Sequence, residues 1–160
     1  MKFRMLNTEE LSVLEEDLKA FLIVNGLDGS EWEKLNKTNP EKATQLVELF
    51  SDLVLEKAYS KIQFLEFRSK NMCMVFNCQD EMTQCINLEL SKDSKGDLST
   101  PESIHETFLN HASDITFRKT ERKNLKPKAT EVHQLIENGC VPSIEDFWIS
   151  LEKVIDLNNN

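Results

Sequence analysis

NPEKATQLVELFSDLVLEKAYSKIQFLEFR, residues 39–68, is the stretch on which the reading of this chain turns. Asn39 is a capping residue type, and Pro40 suits the first helical position, where its missing N–H costs nothing. Ala43, Leu46, Val47, Phe50, Leu53, Val54 and Ala58 then recur at three- and four-residue steps as one apolar stripe. No Gly or Pro interrupts the passage into Ile62–Phe67, which reads as a strand. A helix delivered straight into a strand predicts an α+β layer, with the helix stripe lying on the sheet it feeds.

Upstream of this stretch the chain reads as helical. Met1 to Leu6 reads as a short strand or an arm. Asn7 with Glu10 predicts a capping box opening a helix through Leu11, Leu14, Leu18, Phe21 and Leu22, stopped by Gly26. Phe21 to Val24 are apolar all round, so the end of that helix should be buried more fully than its start. Ser30 and Glu33 predict a second capping box for a short helix carrying Trp32 and Leu35.

Downstream, Ile62–Phe67, Met72–Cys78 and Met82–Leu90 are three β-compatible runs separated by short polar breaks, which predicts an antiparallel meander. Pairing Cys78 with Met82 would set Cys85 opposite Val75. Ile86, Leu88 and Leu90 alternate with Cys85, Asn87 and Glu89, giving one buried face. Residues 91–100 (SKDSKGDLST) read as a mobile loop. Ser99, Pro101 and Glu102 start a helix with Ile104, Phe108, Leu109 and Ala112, and Ile115-Thr116-Phe117 reads as a fourth strand. Pro127 to Asn138 predicts a helix stopped by Gly139, and Ser143 and Asp146 cap a last one bearing Ile144, Phe147, Trp148, Leu151, Val154 and Ile155. The expectation is a single α+β domain over 1–160. Its three- to four-stranded antiparallel sheet packs against helices, with helical segments at both ends and a frayed tail at 157–160.

Composition sets limits on function. Few Gly and Pro with 39% hydrophobic residues predict a folded body, and a net charge of −9 argues against the whole surface binding nucleic acid or anionic membrane. No secretory signal or membrane-spanning run is visible, so a cytoplasmic protein is expected. Cys73, Cys78, Cys85 and Cys140 lack the spacing of a disulfide framework and read as buried reduced thiols. They form no C-x₂-C pair, and His105, His111 and His133 lack H-x₃₋₅-H spacing, so no metal or cofactor is expected. Glycine-rich phosphate loops and a G-x-S-x-G elbow are missing too, and an enzyme is not favoured. Cys140, with His133 upstream, is the one thiol that reads as a potential nucleophile.

The basic stretch says more. Arg118, Lys119, Arg122, Lys123, Lys126 and Lys128 face only Glu121, so residues 118–128 carry +5 and the remainder of the chain −14. That segregation points first to a non-enzymatic module docking a protein partner, and second to RNA or DNA contacts. A solvated loop, or neutralisation by the protein's own acids, explains the same charges. No aromatic residue follows Phe117 in the stretch, so single-strand stacking lacks its platform.

The motifs Met1-Lys2-Phe3-Arg4, Thr8-Glu9-Glu10-Leu11, Trp32-Glu33-Lys34, Asn39-Pro40-Glu41-Lys42-Ala43, Leu49-Phe50-Ser51-Asp52, Leu65-Glu66-Phe67-Arg68 and Asn138-Gly139 resemble a family of small uncharacterised bacterial proteins, grouped as a domain of unknown function. The resemblance covers most of the chain and is weaker between Leu90 and Lys126. It implies a single cytoplasmic domain of this size and brings no activity, ligand or catalytic residue.

Overall fold

The computed structural model describes residues 1–159, which group into two compact units, one over Met1–Ala58 and one from Tyr59 onward. The first holds α1 (Thr8–Val13), α2 (Glu15–Val24), α3 (Gly29–Thr38) and most of α4 (Pro40–Lys61). Its N-terminal arm is not a strand. Asp52 accepts the backbone N–H groups of Lys2 and Phe3 at 2.6 and 2.9 Å, and the Leu6 N–H reaches Ser51 Oγ at 3.0 Å.

The capping box at Asn7 and Glu10 forms as its sequence predicts, and Arg4 clamps both Glu10 carboxylate oxygens at 2.8 Å. That guanidinium holds the Glu10 pKa down at about 2. The expected single helix is two, broken at Leu14, where φ is −98° and ψ is 20°. The break places Glu15, Glu16 and Asp17 in the first turn of α2, where the helix dipole favours negative charge. Gly26, at φ 80°, closes α2. Its N–H and that of Leu27 return to the carbonyls of Ile23 and Leu22, a Schellman stop. Of Phe21–Val24 only Leu22 is fully buried, and Ile23 and Val24 are exposed. An all-round apolar run has one face to bury, and here it is the face that brings Phe21 onto Phe50, 5.5 Å between ring centroids.

Two cap positions shift. The cap of α3 is Asp28 with Glu31, and Ser30 instead donates to the Asp28 carboxylate. Asn39 caps α4 as expected, accepting the Lys42 N–H at 3.2 Å. The buried line of α4 runs through Ala43, Phe50, Ser51, Leu55 and Tyr59, leaving Leu53 and Ala58 outside. Ser51 is inside because its hydroxyl is satisfied twice, by the Leu6 N–H and the Val47 carbonyl. A stripe drawn from apolar residues alone therefore lies rotated from the real one.

The second unit is built on a five-stranded antiparallel sheet in the order β4-β3-β2-β1-β5. Its strands are β1 (Phe64–Arg68), β2 (Met72–Cys78), β3 (Met82–Leu90), β4 (Ile115–Lys123) and β5 (Val141–Pro142). The meander of β1, β2 and β3 is as expected. Five strands replace the expected three to four. β5 escapes notice because two residues show no alternation, and its Pro142 is tolerated at the sheet edge beside β1. Cys78 pairs with Thr83, so Cys85 stands opposite Phe76 and not Val75.

One face of the sheet carries Phe64, Cys73, Val75, Ile86, Leu88, Leu90 and Ile115, packed with Leu98, with Ile104 of α5 (Pro101–Asn110) and with Trp148, Leu151 and Ile155 of α7 (Glu145–Asn159). On the other, α6 (Lys128–Glu137) joins β4 through Arg122, which shares the face of Thr83 and Cys78. The cap of α5 is Thr100 with Ser103, one residue after the predicted Ser99, because Pro101 at N1 requires the cap immediately before it. Residues 91–100 form no regular structure, yet Leu98 is fully buried and its N–H reaches the Lys70 carbonyl at 2.9 Å. Ser143, just before α7, donates its hydroxyl to Glu66 at 3.1 Å and its N–H to the Phe64 carbonyl. Leu157 and Asn158, expected to fray, continue α7, and Asn160 of that tail lies outside the described residues.

Candidate functional site

The basic stretch is chiefly a strand. β4 continues six residues past Phe117, pairing Arg118 with Asn87, Lys119 with Ile86, Arg122 with Thr83 and Lys123 with Met82. Charge hides this from the sequence. On an open sheet edge, cations replace the apolar alternation that usually marks a strand, and they also discourage pairing with stray strands. A loop, one of the readings of these charges, begins only at Asn124.

Period-two geometry divides the cations between the two sides of the sheet. Lys119 leans to the α7 side, where its ammonium meets Glu152 at 2.7 Å and lies 5.8 Å from the Trp148 ring. Arg122 leans to the α6 side and donates to Glu131 at 2.8 Å. Two of the six predicted site residues are thus neutralised by the protein's own acids. Arg118, Lys123, Lys126 and Lys128 form no ion pair among the described residues, and of these Arg118, Lys123 and Lys126 are exposed and Lys128 half-buried. Those four lie along β4, the loop after it and the first residue of α6.

Glu131 organises that loop. Its side chain is 6% exposed, and besides Arg122 it accepts the backbone N–H groups of Leu125 and Lys126 at 3.1 and 3.2 Å. These donors, Arg122 foremost, hold its carboxyl below the usual range. Asn124 fixes the other end of the turn. It accepts the Thr83 hydroxyl at 2.7 Å and donates its amide to the carbonyls of Gln79 and Asp80 at 2.8 and 3.1 Å. Between these anchors Leu125 projects into solvent, 90% exposed, the most exposed large hydrophobic among the described residues. A groove of about 440 Å³ opens beside it, lined by Arg122, Leu125, Lys126, Glu131, Gln134, Leu135 and Asn138. Sequence reasoning missed Asn124, Leu125 and Glu131. A lone leucine inside a lysine-rich loop was the one signal available.

The thiols occupy other ground. Cys140 is 6% exposed and burial pushes its thiol up, away from the thiolate a nucleophile needs. The His133 Nδ1 lies 3.4 Å from the Tyr59 hydroxyl. Burial raises Cys73, Cys78 and Cys85 to about 11. All four cysteines are free. No group of three or more His, Cys, Asp and Glu is placed to hold a metal ion, and no helix is long and apolar enough to cross a membrane, among the described residues. Phe117, which precedes the cations in the sequence, is half-buried with its ring 5.9 Å from that of Phe108.

Comparison with curated proteins and with solved structures returns no match. Residues 1–156 match the model of a family described as a family of unknown function (DUF6495), and the chain belongs to that family.

Proposed function

We propose that this chain is a non-enzymatic interaction module that docks an acidic partner protein on the basic ribbon of β4 and the loop after it. One observation carries the reading: Arg118 and Lys123 on the edge strand, Lys126 in the loop after it and Lys128 at the start of α6 form no ion pair among the described residues, on a chain whose remainder is net acidic. An opposing acidic surface gains from these charges mainly in encounter rate and orientation. Four free thiols fit a reducing compartment, and we place the protein in the cytoplasm. Protein is favoured over nucleic acid because Phe117 packs on Phe108 and is no free stacking platform.

The test is co-purification with the wild-type chain and with a variant carrying Arg118→Glu, Lys123→Glu, Lys126→Glu and Lys128→Glu. Lys119 and Arg122 stay intact, since their ion pairs belong to the fold. The expected result is selective loss of an acidic partner from the variant. Identical partner sets overturn the proposal.

A further inference from the structure

We infer that Leu125 and the groove beside it receive a bulky apolar side chain from an acidic segment of another protein, which makes this loop the anchor of the docking surface; the inference rests on the reading of the basic ribbon as that surface. A loop free to move would fold a leucine inward. Here Asn124 is tied to Thr83, Gln79 and Asp80, and the N–H groups of Leu125 and Lys126 are tied to Glu131. Leu125 is therefore held 90% exposed by bonds on both sides of it. A backbone already fixed in place has less conformational freedom to lose on binding, which favours affinity at the side chain it presents.

The surroundings name the occupant. Leu125 and Leu135 supply apolar surface to a groove of about 440 Å³, room for one large side chain and part of its backbone. Lys126 lines it and forms no ion pair among the described residues, while Arg122, also in the lining, is paired with Glu131. An acidic peptide with Leu or Phe between Asp and Glu residues satisfies both features at once. Nucleic acid satisfies the charge, but base stacking needs an aromatic platform and the groove lining holds none. A second copy docking through β4 would set two basic edges against each other.

Fluorescence anisotropy with the full chain tests this. The probes are a labelled acidic nonapeptide of Asp and Glu with Phe at its centre, the same peptide with Ser there, and a labelled single-stranded RNA nonamer. The expected result is that the wild type binds the Phe peptide about tenfold or more tightly than the Ser peptide, as for one buried hot-spot residue. Leu125→Ser should abolish that preference while weak, salt-sensitive binding of both peptides persists. Circular dichroism and melting of this variant should match the wild type, since the side chain touches solvent and not the core. Equal affinity for the two peptides, a preference that survives Leu125→Ser, or no peptide binding overturns the inference. Tighter binding of the RNA, or self-association that Leu125→Ser removes, also overturns it by assigning the loop another occupant. If the four Glu substitutions abolish peptide binding while Leu125→Ser changes nothing, the anchor falls and the ribbon reading stands. If those four substitutions change nothing, the ribbon reading itself falls.

Discussion

Glu131 is a carboxylate taken out of water and repaid by three donors, two of them backbone N–H groups. Its folded pKa is depressed, so its contribution is fully present above the ordinary value of 4.5 and is lost as pH falls through the lower folded one. Arg122 is half exposed and solvent weakens that arm, whereas the two N–H contacts are sheltered. Glu131→Gln is expected to cost about 1–3 kcal/mol at pH 7, the range for buried charge-assisted bonds. The wild-type advantage should shrink below pH 4.5, and urea melts at pH 7 and pH 4 check both statements. Gly139 makes a simpler case, since φ of 100° and the returning bonds from Gly139 and Cys140 to Ile136 and Leu135 form a Schellman stop. Gly139→Ala should lower stability by about 1–2 kcal/mol from the left-handed backbone alone, read as a drop in Tm. The glycine was legible in the sequence because its role follows from its own chemistry. The glutamate was not, since nothing local tells which of 28 acids will be covered.

At the scale of elements, legibility follows how far a segment's pattern is its own. β2 and β3 have the predicted bounds because alternating apolar residues face a core that both strands help to make. β4 was recognised only through Phe117, since at an open edge its later residues carry charge where a central strand carries valine or isoleucine. β5 was missed altogether, being defined by its pairing with Leu65 and Glu66 and by nothing in its two residues. In α7 the stripe was read correctly at Trp148, Leu151 and Ile155, and Trp148 stacks 6.2 Å from the Phe64 ring while Lys119 approaches its other neighbourhood. Trp148→Ala removes the largest side chain of that core and should cost about 3–5 kcal/mol. Changing Arg118, Lys123, Lys126 and Lys128 to Ala should move stability by no more than about 0.5 kcal/mol per site, because none pairs with an acid among the described residues. Parallel denaturant melts of these variants separate the packing role of α7 from the surface role of the ribbon.

Across the whole molecule, polar and reactive groups divide between inside and outside in a way that bears on function. The cations without partners are on the surface, whereas the thiols are concentrated in and beside the sheet of the second unit. Burial raises Cys73, Cys78 and Cys85 to about 11 and raises Cys140 as well. At pH 8 a thiol titrating near 11 is thiolate in roughly one molecule per thousand, against about one in four for an ordinary cysteine. The thiolate is the reacting species, and access to Cys73, Cys78 and Cys140 also requires the fold to open. Alkylation of the native protein at pH 8 should therefore be slow at all four sites and become fast and uniform in urea, followed by mass spectrometry of each cysteine-bearing peptide. Cys85, only half-buried, should lead the slow set, because access limits it least. Rapid labelling confined to Cys140 would mean that the structure around it opens and that its thiolate is stabilised by a neighbour. Nucleophilic chemistry would then displace docking as the better account of this chain.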